Sequence, residues 1–431
     1  MLGWEYPPHI AGGLGTACQG LTQGLARQGV ELQFVLPHVC GDEVAPHMTM
    51  VDPQPVAAVA PHELAAATDL PEQSIERYSV PAFLMPYWGE TEYTEFAAKA
   101  RETIAHLLAE GQAPDIEALL RNVTYGNDIF DEVAMFAARV ARSLPAFSEF
   151  DVIHAHDWMT FPAATILRQL TGKPLVVHVH SLEYDRSGSH KNRGIHEIEH
   201  LGISAADRVI AVSHYTKQII AREHAVSDDK ICVVHNGIYP KQIVSKYRAK
   251  HPDWPKYMVL FLGRVTFQKG PDYFVRAAAK VLSHLPAVRF VLAGSGDMLD
   301  DMKQLASQLG IREQIDFPGF LRGEAVEEMF SMADLYVMPS VSEPFGISAL
   351  EAVNFDVPAL ISRQSGVSEV VGHSLKFDFW DVDRLADLII NGLIHDELRA
   401  EMISMARKEL SGLRWDASAQ KTLSVYEQVL N

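Results

Sequence analysis

Four short stretches of the chain hold residues whose types and order could do chemistry together. SEPFGISALEA (342–352) sets Glu343 just before a helix start and Glu351 a little over a turn inside it. The early N–H groups of that helix, at Gly346, Ile347 and Ser348, lack intrahelical acceptors and favour an anion such as phosphate. An acid at a largely apolar helix start is uncommon unless it binds something, the plain alternative being incidental acidic residues. GRVTFQKG (263–270) bounds two cations, Arg264 and Lys269, with glycines. Two positive charges at a strand's carboxyl end suit a diphosphate leaving group, although the loop alone reads equally as a solvated one. HAHDW (154–158) and HVHS (178–181) each close an apolar run and put His156, Asp157 and His180 at strand ends. His154 and His178 read as satisfied core histidines. AGGLG (11–15) precedes a helix, and paired glycines such as Gly13 let backbone approach a ligand. By itself such a turn is as often only a tight connection.

Rival chemistries lack their residues. A dinucleotide dehydrogenase needs G-x-G-x-x-G and an acid ending the second strand, but VELQFVL (30–36) runs into Pro37 and His38. A binuclear metal centre of the form H-x-H-x-D-H needs an acid and a histidine where Trp158 and Met159 stand, so no metal site is expected. A P-loop, a G-x-S-x-G elbow and an H-E-x-x-H helix are all absent.

These motifs need strands that end at them. From Asp151 onward, nearly continuous apolar runs alternate with helix-period segments: DVIHA, PLVVHV, DRVIAVS, KICVVH, MVLFLG, VRFVLAG, LYVMP and VPALI. Runs of this kind suit parallel strands covered on both faces, so the class is α/β with repeated βαβ units. The polar stretch 239–256 divides two such series and is the expected hinge. Residues 40–150 are less regular and read as an elaboration of the first unit, with helical patches around 92–110 and 128–143. A last helix is predicted over Trp415–Leu430. Met1 to Trp4 looks like the tail of a strand, which suggests that the chain's true start lies upstream.

The 431 residues, 48% of them hydrophobic, suffice for two cores. A formal charge of −18 and scattered aromatics argue against a nucleic-acid partner. Cys18, Cys40 and Cys232 form no disulfide framework and no CxxC site. With no apolar run long enough to span a bilayer and no leader-like start, a cytoplasmic location is expected.

In order, GGLG, HAHDW, VHVHS, ADRVIAVS (206–213), VVHNGI (233–238), GRVTFQKG, LAGSGD (292–297), EPFGISALEA and SGVSEVV (365–371) resemble the GT-B glycosyltransferases of the glycogen/starch synthase and family-4 groups. The resemblance implies two Rossmann-like parallel-sheet domains facing a central cleft. An acceptor domain would cover 1–245, a nucleotide-sugar donor domain 256–412, and a helix in 413–431 would return to the first. It implies a retaining hexosyltransferase that moves glucose foremost from UDP- or ADP-glucose to a glycan or other hydroxyl acceptor, without a metal. Arg264 and Lys269 would neutralise the diphosphate, Glu343 would hold the donor sugar and Glu351 the ribose. His180 and Asp157 would line the sugar side. Gly13, Gly263, Gly294, Gly346, Ile347 and Ser348 would border the donor; His156, Glu183 and Arg186 would border the acceptor. Ile10 stands where glycogen synthases place Lys, and Ser365–Gly366 replaces a Gly–Gly pair, which leans toward the broader family-4 group. A phosphorylase, a sugar-nucleotide epimerase and a non-catalytic sugar-binding relative are the alternatives on this fold.

Overall fold

The computed structural model describes residues 1–9, 13–53, 129–239 and 256–431. The expected hinge is therefore described only at Tyr239 and Lys256, and most of the 40–150 elaboration, including its patch at 92–110, lies outside the described residues. The patch at 128–143 is a helix, Ile129–Ser143.

The first sheet is parallel. It comprises β1 (Gln33–Val35), β2 (Thr49–Val51), β3 (Ile153–His156), β4 (Leu175–Val179), β5 (Arg208–Ala211) and β6 (Ile231–Val233). β3 to β6 pair in sequence order and β1 pairs with β2. Leu2 bridges both Val35 and Ala155, so the first residues lie between β1 and β3. The strand order therefore reverses at Leu2 and β3, and such a reversal opens a crevice at the carboxyl ends. Trp4 and Glu5 follow one of these segments, and His156 and Asp157 end or follow the other.

The second sheet has β7 (Tyr257–Leu262), β8 (Val288–Ala293), β9 (Ile315–Gly319), β10 (Leu335–Met338), β11 (Ala359–Ser362) and β12 (Leu375–Phe377). Its order is β12-β11-β10-β7-β8-β9, all parallel. Here the reversal falls between β7 and β10, whose carboxyl ends carry GRVTFQKG and SEPFG. β3, β4, β10 and β11 are buried along their whole length, which is why their sequences are apolar without alternation. β9 and β12 escape sequence reading because they are the two sheet edges; β9 even contains Pro318, which an edge tolerates.

The helix Trp415–Leu430 packs on the first unit. A Cβ on Gly20 of the helix Gly13–Arg27 would lie 2.1 Å from the Trp415 ring, so only glycine permits this approach. Arg27 pairs with Asp416 at 2.7 Å, and Tyr426 Oη lies 2.5 Å from His154 Nδ1. The chain's passages between units meet where Ile238 N–H donates to Leu413 O at 2.8 Å. Further ties cross the cleft: the Ser342 hydroxyl donates to Asp185 at 2.5 Å, and Ser213 donates to Pro344 O at 2.6 Å. The Glu369 carboxylate accepts the N–H groups of His214 and Tyr215 at 2.9 and 2.7 Å. Among the described residues no helix is long and apolar enough to cross a membrane.

Candidate functional site

The two reversals face each other across a cleft with a cavity of about 440 Å³. Arg264, Lys269, Glu343, Asp157 and His180 all line it, with Gly13, Gly263, Gly294, Gly346, Ile347, Ser348, Glu351 and Arg186. Nearly every residue predicted from sequence thus converges on one cavity, although Gly13 and Glu351 are 338 positions apart.

On the second unit, β7 delivers Gly263 and Arg264 to the rim. The Arg264 guanidinium donates to Gln268 at 3.3 Å and makes no ion pair among the described residues. Burial pulls its pKa down from the ordinary value. It therefore presents positive charge to the cleft, moderated at a distance by Glu343, Glu5 and Asp297. Lys269 differs from the expected free cation: its Nζ donates to Glu343 Oε2 at 2.6 Å, and Ser340 donates to the same oxygen at 3.1 Å. This clamp leaves Glu343, which is only 5% exposed, fixed in place. Its backbone is pinned as well, since Glu343 N–H donates to Gln364 O at 2.9 Å and Gly366 N–H returns to Glu343 O at 2.9 Å.

The helix Ile347–Asn354 opens behind Gly346, whose φ of 106° only glycine adopts without strain. Among the described residues no side chain caps this end, so its N–H groups remain for a ligand. Ser348 is oriented by a 2.7 Å hydrogen bond with the Tyr336 hydroxyl. A Cβ at Gly294 would stand 1.8 Å from Gly263 O, so glycine there lets the two rim loops touch.

On the first unit, Asp157 occupies φ 59° and ψ 168°, a strained region for a non-glycine residue. Its own carboxylate helps hold the turn, accepting His180 N–H at 2.6 Å and Ser181 N–H at 3.3 Å. Burial pushes Asp157 up to about 6 and His180 down to about 3, leaving the imidazole neutral near pH 7. His156 and Glu183 are not on the cavity wall. His156 sits behind it, with Nδ1 2.9 Å from His180 Nε2. Glu183 is buried and accepts from the Ser187 hydroxyl at 2.7 Å and Asn192 N–H at 3.0 Å, so it shapes the loop that presents Arg186. His154 and His178 are buried as expected but not satisfied: His154 Nε2 and both His178 nitrogens lack a partner among the described residues.

Among the lining residues that the sequence reading did not single out are Glu5, Asn236 and Gln268. Asn236 had a signal, being the turn residue of VVHNGI after a strand. Gln268 lay inside a motif chosen for its charges. Glu5 had none, yet Oε1 accepts Gly15 N–H at 2.9 Å. A carboxylate thus occupies the first turn of the helix Gly13–Arg27, where a ligand anion was expected.

Comparison with known proteins agrees with this geometry. Residues 245–409 match the family model described as Glycosyl transferases group 1, and residues 97–242 match Glycosyltransferase Family 4. An uncharacterised glycosyltransferase of Methanocaldococcus jannaschii is 29% identical over 99% of this chain and 97% of its own. The alpha-maltose-1-phosphate synthase of Mycolicibacterium smegmatis is 31% identical, over 64% of this chain and 79% of its own. The structure of Anabaena HepE in complex with UDP and glucose has a similar fold, with a TM-score of 0.60 and 20% identity over 71% of this chain and 84% of that one.

Proposed function

The chain belongs to the GT-B glycosyltransferases of family 4, and from that premise we propose that it moves a hexose, glucose foremost, from a nucleoside-diphosphate sugar to a glycan hydroxyl with retention at the anomeric carbon. The observation that carries this reading is the pairing, on one wall, of Arg264, which makes no ion pair among the described residues, with the N-terminus of the helix Ile347–Asn354 and the clamped Glu343. The first two suit a diphosphate and the third suits sugar hydroxyls. Glu351, one turn deeper in the same helix, is assigned to the ribose. UDP-glucose is the first donor to test, because the Anabaena protein of similar fold holds UDP and glucose.

The mechanism proposed is front-face displacement. The bond from the anomeric carbon to the diphosphate oxygen lengthens, and the acceptor oxygen attaches on the same face. The acceptor's proton passes to the departing diphosphate oxygen, so no separate base is needed. Arg264, the Gly346–Ser348 N–H groups and the inner face of the Lys269–Glu343 clamp stabilise the charge that develops. The described carboxylates lining the cavity are Glu5, Asp157, Glu343 and Glu351. Glu343 is held by Lys269 and Glu5 by the Gly15 N–H, which disfavours a covalent glycosyl intermediate on either. Arg264 and the N-terminus of the helix Ile347–Asn354 take the place of a divalent ion at the diphosphate.

The test offers a panel of nucleotide sugars, follows nucleoside-diphosphate release with and without an α-glucan, and reads the product's anomeric configuration by NMR. Release should depend on acceptor, give the donor's configuration, and proceed whether Mg²⁺ and Mn²⁺ are present or omitted. An inverted product would overturn the front-face route. A strict Mg²⁺ or Mn²⁺ requirement would overturn the role given to Arg264.

A further inference from the structure

Behind the wall that carries Arg186, two helices bring together groups that the transfer reaction does not use. His196 and Glu199 lie one turn apart on the helix Arg193–Ala205, and His224 ends the helix His214–His224. His224 Nε2 is 3.7 Å and His196 Nδ1 is 4.0 Å from Glu199 Oε2. One ligand atom from each of the three lies within 4.8 Å of the other two. The side chains of Glu199 and His224 are 1% and 0% exposed, whereas that of His196 is 21% exposed.

The inward atoms of this cluster have no hydrogen-bond partner among the described residues, and here, unlike in the group of His154, His156 and His178, one of them is a carboxylate oxygen. Glu199 Oε2, both nitrogens of His224 and Nδ1 of His196 are unpartnered among the described residues. Glu199 Oε1, by contrast, is committed, accepting Glu183 N–H at 2.7 Å. A buried carboxylate oxygen and buried imidazole lone pairs left bare are costly, and they converge on one point. Two imidazoles and one carboxylate are a familiar donor set for a borderline-soft divalent ion, with a further position left for water. At ligand bonds of roughly 2.0–2.2 Å the donor atoms would stand about 3.3 Å apart, so the two distances to Glu199, 3.7 and 4.0 Å, must shorten by roughly half an ångström and the one between the histidines, within 4.8 Å, by up to about 1.5 Å. Rotation about χ2 of His196, a soft torsion, shortens its own two distances, and a small shift of the His224 ring closes the third.

We propose that His196, Glu199 and His224 bind one divalent transition-metal ion of the zinc class, with water completing its coordination. The partly open His196 gives the ion its way in. The stacked group of His154, His156 and His178 is the poorer host, since all three are buried and offer no carboxylate against a dication. The ion would tie the two helices together. Through Glu199 and Glu183 it would also stiffen the loop whose Asp185 reaches Ser342 across the cleft. The site is independent of the donor, sugar and acceptor, so it stands or falls separately from the proposed reaction.

The experiment strips the purified full chain by dialysis against a strong chelator and titrates Co²⁺ as a spectroscopic probe, followed by Zn²⁺ in competition with a chromophoric chelator. Wild type should take up one equivalent of Co²⁺ with visible d–d bands and release it to Zn²⁺. His196→Asn, at the half-open position where folding is least at risk, should weaken Zn²⁺ binding by roughly 100-fold or more, beyond the loss that outer-shell changes cause. Glu199→Gln, which keeps the bond to Glu183, should do the same. Cys40→Ser controls for the exposed group of His9, Cys40, Asp42 and Glu43 and should leave binding intact. The proposal is overturned if wild type takes up no stoichiometric ion. It is equally overturned if folded His196→Asn binds as wild type does, or if Cys40→Ser is the variant that abolishes uptake.

Discussion

Glu343 and Glu351 stand on either side of one helix start, and that placement separates turnover from nucleotide binding. A carboxylate that grips sugar hydroxyls more tightly in the transition state costs rate when removed. Glu343→Ala should lower kcat by roughly 10²-fold, on the scale of one preorganised transition-state contact. Glu351→Ala should weaken nucleoside-diphosphate affinity by about 1–3 kcal/mol, as measured by calorimetric titration. Full kcat in Glu343→Ala, with turnover lost in Glu351→Ala at unchanged affinity, would reverse the two roles. Asp157 makes a second case. Burial raises it to about 6 from 3.8 in the unfolded chain, so folding favours its neutral form. Its contribution to stability is full below 3.8 and is lost as pH rises through 6. Between pH 3.5 and 7.5, Asp157→Asn should therefore gain roughly 3 kcal/mol relative to wild type in urea unfolding, at about 1.4 kcal/mol per tenfold change in acidity. An equal pH slope in both proteins would show that Asp157 is not the buried acid described. At this scale the sequence was legible where chemistry needs a rare type in a set place, as at Arg264 and Glu343. It was silent where geometry alone decides: nothing in WEY marks Glu5 as a cap, and nothing in GRVTFQKG says that Lys269 is spent on Glu343.

Among the elements, the interior strands could be read because burial on both faces forces continuous apolar runs. β9 and β12 could not, since an edge strand has one flank free of that demand and can carry Asp316, Pro318 or Lys376. The last helix was read to its ends from apolar periodicity, but its docking against Gly20 is a three-dimensional fact no period encodes. Trp415 is 4% exposed there and lies in the same core as Leu21, Leu25, Val176 and Ile210. Trp415→Ala should destabilise the protein by roughly 3–5 kcal/mol, the usual range for emptying a buried aromatic site. Chemical unfolding measures this, and a loss below about 1 kcal/mol would mean that the helix is a loosely held appendage.

Across the whole molecule, Glu369 is the acid that joins the units most directly. It accepts two N–H groups at the start of the helix His214–His224, and one oxygen lies 3.0 Å from His235 Nε2. Its pKa is held below the ordinary carboxylate value by these bonds against the opposing effect of burial. Glu369→Gln should loosen the joint, enlarge the radius of gyration in small-angle scattering, and raise the donor KM roughly 5–100-fold for a lost 1–3 kcal/mol. Saturating donor nucleotide should restore the compact profile, whereas scattering identical to wild type without nucleotide would refute this role for Glu369. The last helix has one more consequence, which concerns the order of manufacture. Domains usually fold as they emerge from the ribosome, the first-made ahead of the next. Here one core of the first-made unit is completed, among the described residues, by Trp415, Ala419, Val425 and Tyr426 of that helix. During synthesis it must wait, unfinished, while the entire second sheet is translated and folds ahead of it. A released chain truncated after residue 414 should therefore hold a folded second unit beside a first that proteases still cut.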